Sequence, residues 1–317
     1  MLNKSLKEQE KRQQWITPLF RFLFAFILST IPAYADNLIV ISREADSYHQ
    51  VADSIKQSLN TNYKVITLKE LDENSHSIGD YQQIIAVGSR AADQLVTLAP
   101  ADTPLYVSFI PRQTYSQLLI KYADHQRVKT KKITAIYLDQ PYYRQLALAK
   151  LVTPSAKSIA TALGPHSSND RKLLQKAAKK MGLELKSVTL AETDNPIHKL
   201  QPLIKSADIF LSLPDKSVFN RTTAKWILYI SFRQRIPLIA FSKKYVEAGA
   251  LAAVYSTPED IGKQTAEALK YYSVRSRLPD PTYSDYFDVS TNKAAANSLR
   301  IAIPSEEDLV EQLRGLE

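Results

Sequence analysis

Beyond its first 35 residues this sequence predicts an α/β protein of two lobes, each a doubly wound, mostly parallel sheet. Three observations carry the prediction. Short apolar runs alternate with longer amphipathic ones. The apolar runs are continuous, as in strands that helices cover on both faces. The alternation also starts afresh near residue 158, so two βαβαβ blocks follow one another.

In the first block, residues 37–42 (NLIVIS) read as a buried strand. Residues 48–59 have helical spacing through Val51, Ile55 and Leu59. Strands follow at 64–68 (KVITL), 84–87 (IIAV), 105–109 (LYVSF) and 133–138 (ITAIYL), with Gly88-Ser89 leading into a helix over 90–98. The second block begins with a strand at 158–163 (SIATAL), stopped by Gly164-Pro165. Ser168 or Asn169 is expected to cap a basic helix over 171–181, which Gly182 closes. Strands at 185–190, 209–213, 237–241 and 250–255 alternate with helices at 196–206, 217–234 and 259–272. The segment 278–282 (LPDPT) reads as a linker crossing between lobes. With crossings near Asp139, Tyr255 and Pro281, the first lobe is residues 36–139 plus 256–282. The second is 140–255 plus 283–317.

The first 35 residues read as a secretory signal peptide. Lys4, Lys7, Lys11, Arg12 and Arg21 precede an apolar run at 22–31, and Ala33-Tyr34-Ala35 supplies small residues at the −3 and −1 positions. Ten apolar-rich residues fall short of the roughly 20 that span a bilayer. Cleavage after Ala35 into the periplasm is therefore the expectation, with an uncleaved anchor as the alternative. The chain has no cysteine. That excludes disulfides, thiolate metal sites, cysteine nucleophiles and a lipid on an N-terminal cysteine. A net charge of +9 on 317 residues serves solubility and gives no reason to expect nucleic acid.

Signals for enzymatic chemistry are thin. His49, His76, His125, His166 and His198 are scattered, with no H-E-x-x-H pair. There is no G-x-S-x-G elbow, G-x-G-x-x-G turn or Walker loop. No cofactor or metal is expected.

In doubly wound sheets, ligands sit beyond the carboxyl ends of the strands. The informative residues are therefore 42–43, 88–90, 109–112, 139–140, 164–169, 214–217 and 241–244. Ser89 and Ser168 each follow a strand and begin a helix, where free N–H groups and a hydroxyl suit an anionic group. The alternative is that both only cap helices. The basic stretches 127–132 and 172–180 read as solvated faces. Tyr142, Tyr143, Phe219, Trp226 and Tyr245 are candidates to stack on a ligand, although Trp226, among Ile227, Leu228 and Ile230, reads as core.

Several stretches resemble a known family. They are YYRQLALAKLVTPSAKSIATALGP (142–165), RKLLQKAAKKMGLEL (171–185), DIFLSLPDKSVFN (208–220), IPLIAFSKKYVEAGALAAVYSTPEDIGKQTAEAL (236–269) and NKAAANSLRIAIP (292–304). Over residues 133–304 the chain resembles the periplasmic substrate-binding proteins of ABC transporters, the family that includes tryptophan- and phenylalanine-type binders. Arg300 stands where that family usually has glycine. Phe109-Ile110-Pro111-Arg112 replaces its D-P-x-x-x-G-like loop, so the family's ligand does not carry over.

The resemblance implies a type I periplasmic binding fold: two Rossmann-like lobes, hinged crossings and a ligand in the cleft. Its loops at Ser89, Asp215 and Ser242 match ligand-contacting loops. The expected site is thus Ser89 facing Ser168, Asp215 and Ser242, with Asp215 receiving an amine or hydroxyl of a small, amino-acid-like organic ligand. The expected role is non-enzymatic: a monomer that captures a solute and presents it to an ABC permease of the inner membrane. A ligand sensor or scaffold of the same fold, acting on a membrane partner, stands as the alternative.

Overall fold

The computed structural model describes residues 37–316, apart from 62, 74–77, 80, 166, 192, 193, 195 and 216. The signal peptide, its cleavage after Ala35 and His166 lie outside the described residues.

The first sheet is built from β1 (Asn37–Ile41), β2 (Tyr63–Thr67), β3 (Ile84–Val87), β4 (Leu105–Ile110) and β5 (Ile133–Tyr137). Between and after them run α1 (Asp46–Leu59), α2 (Leu68–Glu73), α3 (Ser89–Leu98), α4 (Arg112–Lys121) and α5 (Gln126–Lys129). α6 (Tyr142–Val152) leads into the second sheet. There β6 (Ser158–Leu163), β7 (Glu184–Thr189), β8 (Ile209–Leu211), β9 (Leu238–Ala240) and β10 (Ala252–Tyr255) alternate with α7 (Arg171–Lys180), α8 (Pro196–Lys205), α9 (Arg221–Gln234) and α10 (Lys243–Glu247). The chain then returns as α11 (Pro258–Arg275) and β11 (Thr282–Tyr283), and goes back once more as β12 (Asp288–Thr291), α12 (Lys293–Leu299) and α13 (Glu306–Arg314).

Both sheets have six strands, in the orders β11-β5-β4-β3-β1-β2 and β12-β10-β9-β8-β6-β7. All described pairings are parallel except β12 against β10. The two halves therefore share one winding, and it is that of the type I periplasmic binding fold. The central strands β1, β3, β6, β8 and β9 are almost wholly buried, which explains why they consist mainly of Ile, Val, Leu, Ala and Phe. The edge strand β7 is half-exposed and accordingly reads ELKSVT.

α11 packs along α1 on the first sheet. The approach is close because position 262 is glycine: a Cβ there would lie 2.6 Å from both the Val51 carbonyl oxygen and Ser54 Cβ. Ser54 Oγ donates to the Glu259 carbonyl at 2.7 Å in the same contact. Thr257 and Asp260 form a capping box that starts α11, with Pro258 at its first position.

Four local expectations are corrected. Neither Ser168 nor Asn169 caps α7. Residues Ser168–Asp170 form a 3₁₀ turn before it, and Ser168 Oγ donates to the Pro165 carbonyl at 3.1 Å. The helix expected from 217 begins only at Arg221, where Asn220 accepts from the N–H groups of Thr222 and Thr223. The basic stretch 127–132 is not wholly solvated: Arg127 is fully buried and donates to the carbonyls of Val96, Ala99, Pro100, Thr103 and Lys132. Five carbonyl dipoles in place of a carboxylate hold this cation, and desolvation lowers its pKa to about 10. The linker near Pro281 also contributes β11, a two-residue strand on β5 that is too short to show a period.

Candidate functional site

The carboxyl ends of the strands in the two sheets face a common cleft. A cavity of about 350 Å³ lies there, bordered by Tyr48, Ser89, Phe109, Gln113, Thr114, Gln117 and Leu138 from the first lobe and by Pro214, Asp215 and Ser217 from the second. A larger, more open groove of about 1120 Å³ continues over the ends of the first sheet and shares Ser89, Thr114 and Gln117 with it.

Each wall has a local cause. Gly88 has a φ of 91°, and a Cβ there would lie 2.5 Å from the Tyr48 ring and 2.6 Å from Ser42 Oγ. Glycine thus lets Tyr48 close over the turn. Ser42 Oγ accepts from Ala91 N–H at 3.0 Å and donates to the Val87 carbonyl at 2.9 Å. Gly88 is the cap residue of α3 and makes no side-chain cap bond, so the capping work falls to Ser42, and Ser89 is the first helical residue. Phe109 has a φ of 59°, in the left-handed region, where β4 and β5 slip register between Ser108 and Ile110. A bulge of this kind re-aims a side chain. Phe109 meets Tyr48 edge-on, with ring centroids 5.5 Å apart.

On the second lobe, Asp215 is buried and its carboxylate is fully engaged. One oxygen accepts from Ser167 Oγ at 2.6 Å and Ser167 N–H at 3.2 Å. The other accepts from Ser217 Oγ at 2.5 Å and Ser217 N–H at 3.0 Å. Four donors use the roughly four lone-pair positions of a carboxylate. Asp215 therefore ties the loops after β6 and β8 together. Gly164 makes room for that junction, since a Cβ there would lie 2.1 Å from Ser217 Oγ.

A bridge joins the lobes beside the cavity. Arg112 Nη2 donates to Asp170, and Gln113 Nε2 and the Tyr142 hydroxyl donate to the same carboxylate oxygen at 2.7 Å each. Burial first, and then the Asp170 charge, hold the Tyr142 phenol well above the usual range, so it stays a donor. Arg112 N–H donates to Asp139 at 2.7 Å. Desolvation pushes the Asp139 carboxyl up to about 6.

The three crossings are stitched together behind this bridge. Arg144 Nη1 donates to Gln140 Oε1 at 2.5 Å and to the Ser284 carbonyl at 3.1 Å. Gln140 Nε2 donates to Ser256 Oγ at 2.7 Å, which donates to the Tyr286 carbonyl at 2.5 Å. One polar network thus touches residues 140, 256 and 284–286, where the chain passes between the sheets.

Of the four expected site residues, the structure brings Ser89 and Asp215 to the cavity from opposite lobes. Ser168 and Ser242 are not among its lining residues. Ser168 is turned toward Pro165, and Ser242 sits at the start of α10 without a side-chain cap bond. Tyr48, Gln113, Thr114 and Gln117 were not among the residues expected there: they stand in the first turn of α1 and the first two turns of α4, past the strand ends. Among the aromatic candidates, Tyr142 serves the bridge and Phe219 and Tyr245 pack on Phe241. Tyr143 donates to the Leu316 carbonyl. Trp226, expected in the core, is exposed.

The family model described as ABC transporter substrate binding protein matches residues 75–311. The chain belongs to the ABC transporter substrate-binding family. Solved structures share its fold. A ligand-free, open substrate binding protein with adhesive properties from Clostridium difficile is 18% identical, with a TM-score of 0.67 over 86% of this chain and 97% of that one. A conserved domain protein from Vibrio cholerae is 19% identical, with a TM-score of 0.60 over 88% and 98%. An ABC domain from Streptococcus pneumoniae in complex with L-Trp is 17% identical, with a TM-score of 0.59 over 88% and 99%. No curated protein matches the chain. The family is one of substrate-binding proteins. No described helix is long and apolar enough to cross a membrane, and no described His, Asp or Glu cluster could hold a metal.

Proposed function

We propose that this chain captures a small organic solute in the interlobe cleft, closes on it by hinge motion and presents it to an ABC permease. The single observation behind this reading is the cavity of about 350 Å³ that holds Ser89 from one lobe against Asp215 and Ser217 from the other. A ligand touching both walls favours the closed form over the open one, and that difference in affinity drives the hinge. In this reading the lobes are 36–139 with 256–282 and the remainder, moving about the Gln140–Ser256 network. The protein works outside the cytoplasm as a monomer.

Tyr48 and Phe109 form the apolar wall. Ser89, Thr114 and Gln113 offer polar contacts. Asp215 acts through Ser217, whose hydroxyl and N–H it orients. The ligand class that suits this mixture carries an aromatic or aliphatic body with a few polar groups. Amino-acid-like solutes meet that description, and the Trp-bound relative from Streptococcus pneumoniae supports them.

A thermal-shift screen of amino acids, nucleosides and small acids tests the reading. A true ligand at 100 times its dissociation constant adds about 2.7 kcal/mol of stability. Hits that shift the wild type and a Phe109→Ala variant equally would argue against this cleft.

A further inference from the structure

We infer that the outer face of α9 is a docking surface for an anionic phospholipid membrane. α9 is a 14-residue helix whose inner face, through Ile227 and Ile230, packs into the second lobe. Its outer face carries Trp226, Tyr229 and Phe232 at 42%, 55% and 66% exposure. They follow one another at helical spacing, so they form one stripe. Trp226 and Tyr229 meet edge-on with centroids 6.2 Å apart. Together with Arg221, Thr222 and Lys225 they border a shallow concavity of about 600 Å³.

Charge selects the occupant. Residues 221–235 contain Arg221, Lys225, Arg233 and Arg235 and no acidic residue, and α8, packed beside α9, contributes Lys205 and no acidic residue, its Lys199 being paired with Asp194. Among the described residues no acidic side chain pairs with the four cations of 221–235. Aromatic rings with a polar edge settle at the headgroup level of a bilayer, and Lys and Arg beside them attract anionic headgroups. A second copy fits worse, because a twofold contact would set these cations against themselves. A protein partner that reads the ligand state must touch both lobes, and this flank belongs to the second lobe alone. The inference does not depend on which ligand fills the cleft.

Trp226 supplies its own probe. Trp15, the only other tryptophan, lies in the expected signal segment, so in the processed protein beginning at Asp36 Trp226 is the sole tryptophan, and the basic, apolar leader is absent from the vesicle titration. The protein is titrated with vesicles of brominated phosphatidylglycerol and, separately, brominated phosphatidylcholine. The expected result is a blue shift and quenching of Trp226 by the anionic vesicles, reversed by 0.5 M salt (roughly five times the concentration that already limits the screening length to about 10 Å). Adding Arg221→Glu, Lys225→Glu and Arg233→Glu should weaken quenching by at least about tenfold. Tyr229→Ser with Phe232→Ser should weaken it at unchanged charge. Equal quenching by the two lipids, no quenching by either, or a shift that appears only with rising protein concentration in the absence of lipid would each overturn the inference.

Discussion

Arg112, at the first position of α4, reaches across the cleft and pairs with Asp170, which ends the 3₁₀ turn after β6. The two residues belong to different lobes, so under the proposed hinge closure this contact favours the closed form. A hydrogen bond to a charged group is worth about 1.5–3 kcal/mol. Asp170→Asn should therefore shift the ratio of open to closed forms by roughly ten- to a hundredfold. The chain has no cysteine, so one introduced on each lobe can be labelled cleanly for distance measurement. An unchanged distance distribution in Asp170→Asn would show that the bridge does not hold the cleft.

Ser89 and Ser42 separate binding from capping. Ser89→Ala should weaken the cleft ligand by roughly 1–3 kcal/mol if a buried partner loses its bond, with no change in stability. Ser42→Ala should do the reverse and cost about 1 kcal/mol of stability, because Ser42 Oγ holds the Ala91 N–H. Calorimetry and denaturation on both variants read the two effects. A stability loss in Ser89→Ala would return that serine to a capping role.

Asp215→Asn should destabilise the second lobe by about 2–4 kcal/mol, since an amide nitrogen would then face serine donors now satisfied by carboxylate oxygens. A direct ligand role without this structural one would leave urea denaturation unchanged.

Asp139 predicts a slope in stability with pH. Its folded carboxyl is pushed up to about 6 by desolvation, against an unfolded value near 4. The folded state holds the proton that the unfolded state releases, so stability falls as pH rises from about 4 to about 6 and stays lower above it. Asp139→Asn should flatten this slope and raise stability at pH 7.5 by up to about 2–3 kcal/mol, an upper bound because Asp139 keeps some exposure. Unaltered pH dependence of the melting temperature would contradict the assignment.

Gly262→Ala tests the seam between α11 and α1. The added methyl meets the Val51 carbonyl and Ser54 Cβ at 2.6 Å, and a backbone oxygen cannot swing aside. A loss of about 1–3 kcal/mol is expected, together with faster amide exchange along α1. A variant as stable as the wild type would mean that the helices can separate without cost.

The fold was legible because buried parallel strands read as short apolar runs, here three to six residues long and separated by longer amphipathic segments. IIAV is wholly apolar, and in SIATAL the buried Thr161 hydroxyl is satisfied by the Leu211 carbonyl. The strand ends, and hence the rim of the cleft, follow from them by topology. Side-chain commitments were not legible. Asp215 stands where a ligand acceptor would, yet it is taken up by Ser167, whose distance along the chain conceals their contact. Trp226 sits among Ile and Leu, but a helix puts consecutive residues on different faces, and its own points outward. Phe109 could not be seen to take a left-handed backbone, because sequence alone does not place a bulge.

The return of α11 to the first lobe has a consequence for how the protein is made. α1 lacks its neighbour until residue 275 has left the ribosome, and the edge of the first sheet lacks β11 until residue 283. The second sheet in turn lacks β12 until residue 291. Neither lobe can finish folding on the nascent chain, since each awaits a segment encoded near the far end. If the first 35 residues direct export as the sequence leads us to expect, that delay would withhold a stable domain until nearly the whole chain is made and leave folding to the far side of the membrane.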